Sequence, residues 1–100
     1  MKYFALLSWS PEVPTKVINV LVEAEVDGTS EFVSYNWSWK RWMHNPGGGR
    51  YIFLPEYREY CRPISREQAE ELLAADPSLT TALPLPSEET IDDLSRRKDA

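Results

Sequence analysis

Apolar and polar positions alternate along the first half of the chain, and the period of that pattern changes in the second half. Lys2 to Trp9 is an aromatic and aliphatic run that predicts a strand. Ser10 to Pro14 predicts a loop, because its two prolines lack an amide donor and disfavour helix in the residue before them. From Lys16 to Val26 two periods compete. Val17, Val20, Leu21 and Ala24 fit a helix, whereas Ile18, Val20, Val22, Ala24 and Val26 fit a strict period of two. The β-branched residues and the Asp27-Gly28 pair that follows decide for a strand entering a hairpin.

Both residues of Asp27-Gly28 tolerate the positive φ of a type I′ turn, and a two-residue turn sets Val26 against Thr29, whereas a four-residue turn, Asp27 to Ser30, would shift the partners by two and keep the same faces. Val22 then faces Val33, with Glu23 against Phe32 and Leu21 against Ser34. One face is apolar and the other is expected to be mostly polar. Continued without a break, the alternation places Trp37 and Trp39 on the face of Val20 and Val22, in the core. Trp42 falls on the opposite face with Lys40, exposed beside Asn45-Pro46-Gly47-Gly48-Gly49. The three glycines predict a mobile hairpin loop, and Arg50 to Leu54 a returning strand stopped by Pro55. Residues 56–63 predict extended or irregular chain.

The period then becomes helical. Ser65 with Gln68 is a capping-box pattern, and Ala69, Leu72 and Leu73 form an apolar stripe ending at Asp76-Pro77. A proline-punctuated segment, 77–86, is expected to lie along the domain. Ser87 caps a last helix from Glu88 to about Arg97, opened by acids and closed by bases to suit the helix dipole. With only Ile91 and Leu94 as large apolar residues, this helix is expected to dock weakly, fray, or dock on a partner. The fold class is therefore α+β: a small antiparallel sheet of three to four strands in the order β-β-β-β-α, one helix packed on it, and a short C-terminal helix. Residues 1–83 are expected to form one domain, and 84–100 a proline-led, charged segment.

Composition narrows the function. One hundred residues fit one domain, and a chain of this length needs no metal or disulfide to fold. One His and one Cys cannot make a Cys/His zinc site, so neither a metal nor a cofactor is expected. No apolar run is long enough to span a bilayer, and the first strand lacks the small-residue cleavage site of a signal peptide. No membrane association and a cytoplasmic location are expected.

Charge is unevenly distributed within a net of −5. Residues 36–66 carry six bases and two acids and hold Trp37, Trp39 and Trp42, whereas the segments on either side are acidic. A basic, aromatic segment inside an acidic chain points to recognition rather than to catalysis. Trp, Tyr and Arg dominate protein–protein hot spots, and the same rings can stack on unpaired bases. Lys40, Arg41, Trp42 and Arg50 are the expected partner-binding residues, with Trp42 as aromatic anchor and the cations as rim. Tyr57, Arg58, Tyr60 and Arg62 alternate rings and cations nearby; packing accounts for the rings, and capture of an anion would account for the arginines.

Other motifs lead nowhere specific. Gly47-Gly48-Gly49-Arg50 lacks the Lys-Ser/Thr and following helix of a phosphate-binding loop. His44 and Cys61 are the available base and nucleophile, but no local motif links them. The carboxylate pairs Glu70-Glu71, Glu88-Glu89 and Asp92-Asp93 read as solvated helix faces.

Three classes of function follow. The first is a non-enzymatic protein-binding module, an inhibitor or adaptor of a larger phage, defence or toxin-type machine. The second is a single-stranded nucleic-acid or nucleotide binder using residues 36–66. The third is a small enzyme, which needs His44 beside Cys61 or a carboxylate. The expected assembly is a monomer or an edge-strand homodimer, since so small a sheet leaves an open edge.

Overall fold

The computed structural model describes residues 1–8 and 16–96. Trp9, the Ser10–Pro14 loop and the basic end of the last helix at Arg97 and Lys98 lie outside the described residues. Among those described there are five strands: β1 (Lys2–Leu7), β2 (Val17–Val26), β3 (Thr29–Asn36), β4 (Arg41–His44) and β5 (Cys61–Ile64). All neighbours pair antiparallel, in the order β4-β3-β2-β1-β5. The helices are α1 (Arg50–Phe53), α2 (Arg66–Ala75) and α3 (Glu88–Arg96). The fold is α+β, with a helix packed on an antiparallel sheet and a short C-terminal helix.

The β2–β3 hairpin has the expected geometry. Asp27 and Gly28 take φ of 53° and 79°, and Val26 pairs with Thr29, Val22 with Val33, and Leu21 with Ser34. The fifth strand falls at the end of the segment expected to be extended or irregular. Cys61 to Ile64 follows a 3-10 turn from Pro55 to Tyr60 and pairs with β1, Phe4 opposite Pro63. Its single proline suits a sheet edge, where a missing amide donor breaks no interior ladder.

Two corrections concern elements. The segment from Arg50 is a single helical turn rather than a strand. Leu54, immediately before Pro55, is held extended at ψ 121°, which ends the helix. The three glycines are not a free loop either. Gly48 is buried, and a Cβ on it would sit 2.8 Å from the Phe32 Cβ and 2.9 Å from the Leu21 Cδ1. The absent side chain lets the backbone cross close over the sheet and brings Ile52 of α1 onto it.

The sheet is consequently covered on both faces, unequally. The thick side holds Tyr3, Val20, Val22, Ala24, Val33 and Tyr35 from the strands. Ala69 and Leu73 of α2, Leu79, Ala82, Leu85 and Ile91 of α3 close over them. The face expected to be polar instead carries a second buried cluster of Phe4, Leu6, Leu21 and Phe32, covered by Ile52 and Cys61. The residues after Pro84 are no appendage. Leu85 and Ile91 are buried in the main cluster, so α3 docks on the sheet rather than weakly beside it.

Both longer helices start as their sequences demand. Ser65 accepts from the Gln68 amide while the Gln68 side chain accepts from the Ser65 amide, a complete capping box. Ser87 accepts from the Thr90 amide at 3.1 Å. At its far end α3 is tied by Arg96 to Asp92 and, at 2.7 Å, to Asp27 in the β2–β3 turn.

Candidate functional site

The region between β3 and β4 departs most from the sequence reading. β3 ends at Asn36, whose side-chain oxygen accepts from the Ser38 and Trp39 amides at 3.0 and 2.9 Å. That side chain substitutes for a backbone turn acceptor and reverses the chain. Lys40 closes the loop at φ 55°, in the left-handed region, and Arg41 pairs back with Asn36. Trp37, Ser38, Trp39 and Lys40 are therefore a four-residue hairpin loop, not strand.

This turn resets the alternation and exchanges the roles of the tryptophans. Trp37 and Trp39, expected in the core, are 54% and 64% exposed. Trp42, expected on the open face, pairs opposite Tyr35 and packs against the main core. Its ring meets that of Tyr35 edge-on, centroids 5.7 Å apart at 63°, and its indole N–H donates to the Ala82 carbonyl at 2.8 Å. A half-buried indole with its polar atom satisfied inside the protein is a structural residue. The expected exposure of Trp42 is thus corrected: the ring is partly buried against the core.

The cations divide. Lys40 and Arg41 are exposed in or beside the loop, and the Arg41 guanidinium lies over the Trp39 ring, 4.8 Å from its centroid. That contact holds the Trp39 ring while leaving most of it in solvent, a cation–π geometry. Arg50 does not join them. It begins α1, past the other end of β4, and its Nε donates to the Gly47 carbonyl at 3.1 Å. The basic-aromatic cluster therefore consists of Trp37, Trp39, Lys40 and Arg41, with Asn36 as the residue that sets its shape. Beside Trp37, the thin side of the sheet is left open as a groove of about 340 Å³ lined by Asn19, Ser34, Asn36, Met43 and Asn45. The signal for this loop was local: an Asn able to accept from the amides two and three residues further on, placed before the first tryptophan.

His44 lies beside a carboxylate, as the small-enzyme reading requires: its Nε2 is 2.8 Å from the Glu31 Oε2. Both are largely buried and border an open groove of about 530 Å³ shared with Phe32, Arg50 and Phe53. Sequence spacing could not find Glu31, because the pair is formed across neighbouring strands. The partner of the imidazole Nε2 is thus a carboxylate rather than a hydroxyl or thiol. Cys61 sits on the opposite edge strand, four inter-strand spacings or about 19 Å away. Half-buried, its thiol is pushed up to about 11 by desolvation, which keeps it protonated and unreactive at neutral pH. Tyr57 and Tyr60 lie in the 3-10 turn, and the Tyr60 phenol is raised by its hydrogen bond to Glu59 and by that carboxylate's charge.

No group of three or more His, Cys, Asp or Glu among the described residues could hold a metal ion. No helix among them is long and apolar enough to cross a membrane. The fold and the loop together define an α+β sheet protein that displays an aromatic-cationic hairpin tip. Comparison with protein-family models, curated proteins and solved structures found no match.

Proposed function

We propose that the protein is a non-enzymatic protein-binding module, an inhibitor or adaptor that engages its partner through the β3–β4 hairpin tip. Trp37 and Trp39 are the anchors of this reading, and Lys40 and Arg41 are its charged rim. The observation that carries it is the exposure of two indoles, 54% and 64%, on a loop whose backbone is held by Asn36. Exposing that much apolar ring costs free energy unless a partner covers it, and Trp and Arg are the residue types on which interfaces concentrate their energy. A loop already fixed in shape loses little entropy on binding.

The test compares the wild type with Trp37→Ala/Trp39→Ala as baits in host lysate. A protein retained by the wild type and lost by the double variant, at unchanged thermal stability, supports the reading. Equal retention by both baits would remove the tip from it. The Arg41–Trp39 stack beside Trp37 favours single-stranded nucleic acid as the second reading, since bases stack on such rings between cations. Tryptophan quenching by short single-stranded DNA or RNA that weakens steeply with salt would promote it to first. The net charge of −5 opposes that outcome by repelling phosphate away from the tip.

A further inference from the structure

The two edges of the sheet are not equivalent. β5 is closed to further pairing by Pro63, which removes a donor from the middle of a four-residue strand. β4 carries no proline, and its ladder shows which groups are spare. The Asn45 amide donates to the Phe32 carbonyl at 2.7 Å, so Phe32 and Asn45 form a hydrogen-bonded pair. Such pairs alternate in an antiparallel ladder, which makes Ser34–Met43 and Asn36–Arg41 bonded pairs too. The N–H and C=O groups of Trp42 and His44 must then point away from β3, to the outer edge. Among the described residues no backbone partner outside the sheet takes them.

We propose that β4 pairs antiparallel with β4 of a second copy of this chain, across a two-fold axis at Met43, joining two five-stranded sheets into one. In this register Trp42 lies opposite His44 of the second copy, and His44 opposite its Trp42. Each pair exchanges two backbone hydrogen bonds, using all four outward groups of each copy. Met43 meets Met43 on the thin side of the sheet, and Arg41 meets Asn45. No like charges oppose one another, which destabilises sheets when it occurs. A parallel arrangement would set Arg41 against Arg41. The strand is thus complementary to itself in one orientation, which selects a second copy over an unrelated strand as its occupant. The hairpin tips lie at opposite ends of the joined strands, so the dimer presents them as a divalent pair.

This inference is independent of what the tips bind. Sedimentation of the full chain from low to high micromolar concentration is expected to show a monomer–dimer equilibrium. A single monomeric species throughout would overturn the proposal. Met43→Lys and Met43→Glu each place like charges across the two-fold axis, and each alone is expected to weaken the dimer at least about tenfold. Mixed together they are expected to restore it as a heterodimer. Dimers undiminished in both single variants would overturn this register. Met43 pairs across the axis in the non-hydrogen-bonded site, where Cα atoms lie about 4.5 Å apart, within disulfide range. Met43→Cys in a Cys61→Ser background should therefore cross-link on mild oxidation, and failure to do so would argue against the contact. Trp37→Ala/Trp39→Ala should dimerise like the wild type. A monomer there would move the contact from β4 to the tip, whatever the tip recognises.

Discussion

At the scale of single residues, the tryptophans carry the argument. Trp39→Ala removes a ring that is mostly solvated and one cation–π contact, and is expected to lower stability by less than about 1 kcal/mol. Trp42→Ala removes the edge-on contact with Tyr35 and orphans the Ala82 carbonyl, and is expected to lower it by about 2–4 kcal/mol. Thermal denaturation of the two variants reads the difference, and equal losses would contradict the exchange of roles. Cys61 gives a prediction in pH. Its folded-state pKa is raised from 9.0 to about 11, so between those values the unfolded chain releases a thiol proton that the folded chain keeps. Stability contributed by the protonated thiol is present below pH 9 and lost as pH rises toward 11. Alkylation at neutral pH should be slower in the folded protein than in urea, and Cys61→Ala should flatten the alkaline loss. What made Lys40 and Arg41 legible was charge, which keeps such side chains in water whatever the backbone does. Trp37, Trp39 and Trp42 were misassigned because an indole is stable in either environment, and only the position of the turn decides.

At the scale of elements, legibility follows locality. The Asp27-Gly28 turn, the Ser65 capping box and the Ser87 cap are each decided by residues within a few positions of one another, and each was readable. The β3–β4 loop was missed because alternation was carried through Asn36, whose side chain stops the strand by accepting from two amides. Helix α1 was missed for a different reason. Arg50 to Phe53 has strand-like composition, and what bends it into a helical turn is the space over Phe32 and Leu21 that Gly48 leaves. Tertiary contact overrode propensity there. Gly48→Ala is expected to cost about 1–3 kcal/mol, because the new methyl would overlap both side chains and lift α1 from the sheet. Faster hydrogen exchange of the Ile52 and Phe53 amides, which donate to the Gly49 carbonyl, would report the lifting, and unchanged exchange would argue against it.

At the scale of the molecule, the sheet is a shared wall between two unequal cores, and the chain end expected to be loose closes the larger one. Ile91 is fully buried against strands whose sequence precedes it by more than fifty residues. Ile91→Ala is expected to destabilise the protein by about 2–4 kcal/mol in one cooperative transition. A separate early transition, with the sheet melting unchanged, would restore the segment after residue 83 as an independent unit. Sequence periodicity could not foresee this docking, since two apolar residues on a charged helix say little about whether a matching hollow exists on the sheet.

The strand order has a consequence for how the protein is made. β1 is synthesised first and comes to lie between β2 and β5, with β5 more than fifty residues further along the chain. During translation β1, β2 and β3 can pair as soon as they leave the ribosome, because their contacts are short in sequence. The free side of β1 then waits, its amides and carbonyls open to other nascent chains, until Ile64 has emerged and the loop can close. A nascent chain with Asn36 outside the ribosome and Cys61 still within it would thus hold out an interior strand as though it were an edge, a hazard belonging to biosynthesis that the finished protein no longer carries.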